Sequence, residues 1–119
     1  MAFRKLLQRL TTSDAELDRE RLQQFCRDVP GVTAIADAQP RQEITVAGEI
    51  SSMRIVPRAG TPWLEVTVKD GSGSLVIVWT GRRNIPGVGP GRRLVASGRG
   101  TPHGTSSRLT LLNPRYELL

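Results

Sequence analysis

Residues 44–79, ITVAGEISSMRIVPRAGTPWLEVTVKDGSGSLVIVW, decide the fold. They read as a long strand, a Gly-containing turn, a second strand, a tight Asp70-Gly-Ser-Gly73 turn and a third strand. Strand two, Pro62–Lys69, alternates: Leu64, Val66 and Val68 point one way, while Trp63, Glu65, Thr67 and Lys69 point the other. Strand three, Ser74–Thr80, is apolar on both faces, which predicts cover on both. Strand one runs from about Glu43 to Val56 and would exceed about 40 Å if straight, too long for a small sheet. It must bend, and Gly48 with Ser51-Ser52 offers the place for a kink or bulge. A strand bent there can hydrogen-bond on both sides and close the sheet on itself.

Downstream, residues 81–91 hold too much proline and glycine for a stable helix. Strand four, Arg93–Arg99, puts Leu94, Ala96 and Gly98 on one face. A loop over Gly100–Ser107 leads to strand five, about Arg108–Leu112, and a short tail. Upstream, Phe3, Leu6, Leu7 and Leu10 follow the spacing of one helical face. Thr11-Thr12-Ser13 interrupts, and Ser13 with Glu16 forms a capping box that opens a second helix to about Asp28. Leu22, Phe25, Cys26 and Val29 form its stripe, and Pro30-Gly31 stops it. The expected fold is therefore mainly β in a small α+β chain. A helical extension of two short helices spans 1–34, and a five-stranded barrel spans 35–119.

Composition narrows the function. No apolar run reaches the roughly 18–20 residues of a membrane span, and charges interrupt the N-terminal apolar positions, so no secretory segment is read. Cys26 stands alone, which excludes an internal disulfide and a multi-cysteine metal site and fits a cytoplasmic setting. Net charge is +6, unevenly placed. Residues 1–40 carry six basic and six acidic side chains; residues 41–119 carry eleven basic and five acidic. The excess on the β part attracts polyanions, of which nucleic acid is the most abundant.

Ile35 with Ile44-Thr-Val-Ala-Gly48-Glu-Ile50, Leu64-Glu-Val-Thr-Val-Lys-Asp70-Gly-Ser-Gly73, Val76-Ile-Val-Trp79, Gly91-Arg-Arg-Leu94-Val-Ala-Ser-Gly98 and Asn113-Pro-Arg-Tyr116 resemble the OB-fold nucleic-acid-binding family. The resemblance covers about residues 35–119. It is nearest to the wedge OB domain of RecG-type helicases and extends to small stand-alone actinobacterial OB-fold proteins. It implies binding without motor activity, because no helicase core is present.

An OB ligand face lies over strands two and three, flanked by the loops joining strands one–two and four–five. The expected contacts are Trp63 as a base-stacking platform, with Lys69, Arg58, Arg82, Arg83, Arg99 and Arg108 holding phosphates. Arg54 flanks the first loop as well, and Arg92-Arg93 close the connector. Trp79 is expected in the core, and Tyr116 as an anchor for the tail. An enzyme reading does poorly: His103 is the only histidine, it lies in a Gly/Thr loop with no cysteine or acid near it in sequence, and a nucleophile, a base and an orienting group are not jointly visible. Asp70-Gly-Ser-Gly73 lacks the lysine of a phosphate-cradling loop and joins two strands, so it reads as a turn. No cofactor or metal is expected. The expected partner is single-stranded or branched nucleic acid, DNA before RNA. The alternative is a homodimer or protein partner docking on the barrel or the N-terminal helices.

Overall fold

A computed structural model describes residues 2–119, with side chains from residue 14 onward. Helix α1 (Ala2–Arg27) and a 3-10 turn (Ile35–Asp37) precede six strands: β1 (Glu43–Arg58), β2 (Thr61–Lys69), β3 (Ser74–Thr80), β4 (Arg93–Pro102), β5 (Leu109–Leu112) and β6 (Arg115–Leu118). One sheet holds them in the order β1-β2-β3-β5-β4-β6, and β1 also pairs with β4, so five strands form a closed ring. All pairings are antiparallel except β3–β5. Among the described residues no helix is long and apolar enough to cross a membrane.

The first strand closes the ring by changing partners midway. Residues Glu43–Glu49 pair with β4, and Glu49–Arg58 pair with β2. Register slips between Ile50 and Ser52, which makes Ser51 the bulge. Gly48 sits at the changeover. A Cβ there would lie 2.4 Å from Val68 Cγ1 and 2.8 Å from the Lys69 carbonyl oxygen, so β2 can cross β1 only over a glycine. The kink expected at Gly48 and Ser51-Ser52 is where the structure bends.

Inside the ring, Val46, Ile50, Leu64, Val66, Val68, Leu75, Ile77, Leu94 and Leu111 are buried, following the predicted alternation. Trp79 joins this core, as expected. The connector 81–92 forms no helix, yet it inserts Ile85 and Val88 into the core.

Two expectations need correction. The N-terminal segment is one continuous helix, not two. Thr11, Thr12 and Ser13 lower helix propensity by only a few tenths of a kcal/mol each, and without Gly or Pro nothing forces the chain out of helical geometry. The proposed stripe Phe3, Leu6, Leu7 and Leu10 lies outside the residues whose side chains are described. The tail after strand five, where no strand is predicted, is strand β6 on β4. Asn113, at φ 46°, turns the chain, and its side chain clamps Thr80 by accepting from the backbone N–H (3.0 Å) and donating to Oγ1 (3.1 Å). β6 then brings Tyr116 edge-on to Trp79, with centroids 5.3 Å apart, and packs Leu118 against the core.

Asp70 fixes the β2–β3 turn to the rest of the chain. It is buried; Oδ1 accepts from the N–H groups of Ser72 (2.9 Å) and Gly73 (3.1 Å), and Oδ2 accepts from Ile35 N–H (2.8 Å). Helix α1 rests on this turn. Gly71 has φ +87°, and a Cβ there would lie 2.7 Å from the Arg19 carbonyl oxygen. Beside it Cys26 is buried, and Phe25 lies under the Arg93 guanidinium, 4.3 Å from ring centroid to carbon. Burial, then the neighbouring Asp70 charge, push the Cys26 thiol up to about 11.

Gly48→Ala should lower stability in urea titrations by about 2 kcal/mol or more, because its methyl meets backbone as well as side chain. Gly89→Ala, with open space at its Cβ, should stay within about 0.5 kcal/mol of the parent; equal losses at both positions would contradict the role given to Gly48. Cys26 should react with a thiol reagent at pH 8 far more slowly in the native protein than in denaturant. Its raised pKa means that the folded thiol keeps its proton to higher pH than the unfolded one. This support for the fold is complete below the ordinary thiol range and falls away as pH rises toward 11.

Candidate functional site

Cross-strand register on the outer face of the ring defines a groove. One row runs Ser52, Thr67, Val76, Thr110, Thr101; the next runs Arg54, Glu65, Val78, Leu112; a third runs Val56, Trp63, Thr80. Strand residues that face each other across a ladder share a face, so each row is a line of neighbouring side chains. The β4–β5 loop overhangs the first row, with His103 Nδ1 2.7 Å from Thr110 Oγ1. Ser52, Arg54, Glu65, Thr67, His103 and Arg108 line the resulting hollow of about 390 Å³.

The floor is short and nearly neutral: the Thr67 hydroxyl beside the buried Val76, with Thr110 next in the row under His103. Glu65 is its one charge, only 6% exposed, with Oε2 accepting from Arg54 Nε at 2.7 Å. Arg54 itself reaches into solvent, so the pair is held on one side only. The pair is close to neutral overall, and the second oxygen of Glu65 can accept a hydrogen bond from a donor in the groove.

At one end, Trp63 is half-buried and the Arg58 guanidinium carbon lies 4.9 Å from its ring centroid. Gly81 N–H donates to the Pro62 carbonyl oxygen at 2.8 Å, which brings Arg82 and Arg83, both exposed, out beside this end. Arg108 lies toward the other end. Of the expected contacts, Arg108 lines the hollow, Arg58 lies over Trp63 two rows away, and Arg82 and Arg83 follow Gly81 where it meets Pro62. The structure does not bring Lys69 and Arg99 to this hollow.

Lys69 shares the outward row with Trp63 but lies six residues away, about 20 Å along the strand. Its neighbour is Glu49, itself the cross-strand partner of Arg93, and it faces a cleft beside α1. Arg99 stands opposite Glu43 on the β1–β4 side. Alternation tells which face a residue takes, not how far along the curved sheet it falls.

Among the described residues, the ion pairs use Arg54, Arg93 and Arg115, paired with Glu65, Glu49 and Glu43. Arg58, Lys69, Arg82, Arg83, Arg99 and Arg108 have no carboxylate partner among them. Five of these six are arginine, whose planar fork suits phosphate and base stacking. Sequence reasoning missed Thr67, Val76, Thr110 and His103 as groove residues. Period-two alternation already put Thr67 outward, but the parallel β3–β5 pairing that brings Thr110 beside it has no short-range signal.

No protein-family model matches this sequence, and no curated protein matches it. Among solved structures, RecG bound to a three-way DNA junction is similar, with a TM-score of 0.59 and 14% identity over 72% of this chain. The match occupies 12% of that RecG chain, so this chain spans a small part of its length. At that identity the likeness is one of fold.

Arg54→Ala strands the Glu65 carboxylate on the groove floor. A loss of about 1–2 kcal/mol in chemical denaturation is expected, less than for a fully buried pair because Arg54 is solvated. Arg82→Ala should change stability by less than about 0.5 kcal/mol. If Arg54→Ala is equally silent, Glu65 does not depend on its partner.

Proposed function

We propose that the ring is an OB fold and that the chain is a non-enzymatic module holding single-stranded or branched nucleic acid, DNA rather than RNA, across β2 and β3. The observation that carries this reading is the groove itself. Its near-neutral, hydroxyl-lined floor lies between unpaired arginines, with a tryptophan at one end. The similar RecG chain was solved on a DNA junction, which favours DNA as the partner.

In this reading Arg58, Arg82 and Arg83 take phosphates at the Trp63 end, and Arg108 takes one at the other. A base stacks on the indole–guanidinium pair, and the near-neutral floor leaves the phosphates to the arginines at the rim, with the bases turned inward. Because four phosphates are neutralised and one indole is available, binding is backbone-led and weakly selective for sequence. His103, bonded to Thr110, serves as a wall of the groove. The second reading, a protein-interaction module, draws on the exposed Leu17 and Phe25 of α1.

Anisotropy titrations with labelled oligonucleotides should give log affinity falling with log salt at a slope near about −3. Trp63→Ala should weaken binding by roughly tenfold or more. Arg108→Ala should weaken it and reduce the slope. Absence of binding at low salt, with a stable oligomer in light scattering, would replace this reading with the second.

A further inference from the structure

Beside the groove, α1 and the ring enclose a larger cleft of about 760 Å³ that neither the fold likeness nor the groove explains. Arg19 and Arg21 line its helix side, and Lys69, Ser74 and Arg93 its sheet side, against the acids Asp18 and Glu49. Glu49 is engaged by Arg93 Nε at 3.4 Å, and Arg93 also covers Phe25. That leaves Arg19, Arg21 and Lys69 against the single carboxylate of Asp18. The other acids of the described helix, Asp14, Glu16 and Glu20, do not line the cleft, nor does Asp28 just beyond it.

The cleft is joined to the groove. Arg108 lines both the groove and a second hollow of about 390 Å³ beside Ile35 and Ala36. Gly73 and Ser74 line that hollow and the helix cleft alike. Three concavities thus share residues in sequence and trace one path from the β2–β3 face, past Arg108, over the β2–β3 turn to α1. The far wall is held in place: the Arg19 carbonyl sits against Gly71, and Asp70 ties the turn to Ile35.

The geometry points to a nucleic-acid interface that is longer than the ring: a strand leaving the groove at Arg108 continues over Gly73–Ser74 into the helix cleft, where Lys69, Arg19 and Arg21 take its phosphates. This rests on the groove reading above and adds the helix to it. Lys69, misplaced as a neighbour of Trp63, becomes a contact at the opposite end of the same track. The structure makes α1 one wall of the binding site and not merely a support for the ring.

The test is a length series of labelled oligothymidylates, about 4 to 16 nucleotides to match the range of single-domain sites, measured on the full chain. Parent protein should gain about tenfold or more in affinity between the shortest and longest probes. The double variant Arg19→Ala/Arg21→Ala should bind the shortest probes as the parent does and lose that gain. Alanine is a strong helix former and leaves the Arg19 carbonyl in contact with Gly71, and circular dichroism checks the helix. Lys69→Ala, on the sheet, should show the same length-selective loss. Short-probe binding with no length dependence, or variants that keep the full gain, would overturn this inference alone. Failure of every length to bind would overturn the groove reading and this one with it.

Discussion

Strand β2 crosses β1 so closely at Gly48 that no side chain fits between them, and the architecture follows from that contact. Because Gly48 has no Cβ to strike Val68 and the Lys69 backbone, β2 can cross there as β1 turns, sheds β4 and takes up β2. The turn closes the ring. It also lets Met53–Arg58 travel with β2 as a hairpin whose outer rows carry Arg54 against Glu65 and Val56 against Trp63. The groove is thus a product of the bend: the rows that line it exist only because β1 has changed partner below them.

Charge is distributed to match. The β part has five acids, and three of them, Glu43, Glu49 and Glu65, are spent on Arg115, Arg93 and Arg54. Asp70 is buried in turn hydrogen bonds, where it holds the β2–β3 turn and the 3-10 turn together. The remaining arginines at the groove ends meet solvent without local neutralisation, so the basic excess becomes a directed surface field. The Arg54–Glu65 pair leaves the floor close to neutral, so the surface contrasts an uncharged centre with a positive rim.

Much of the fold was legible because its signals are local. Leu64, Val66 and Val68 alternate with a period of two, strand one is too long to be straight, and Gly48 with Ser51-Ser52 marks where it yields. What was not legible needed distance information. Thr11-Thr12-Ser13 looks like a boundary, but a capping pattern ends a helix only where the backbone actually leaves it. β6 is four residues long and depends on Asn113 adopting positive φ, although the alternation Arg115-Tyr116-Glu117-Leu118 was its one local trace. Trp63 and Lys69 shared a face in the sequence and lie at opposite ends of it in the fold. Arg19 and Arg21 carry no sequence signal of the cleft they line, which exists only because the helix packs on the turn at Gly71.

The central claim is that the outer face of β2 and β3 holds single-stranded nucleic acid. Titrating isotope-labelled protein with an oligothymidylate and following amide and indole shifts by NMR tests it most directly. Shifts should concentrate at Thr67, Val76, Thr110, Arg108 and the Trp63 indole. Shifts confined to the β4–β6 side around Arg99 and Arg115, or none at low salt, would contradict it.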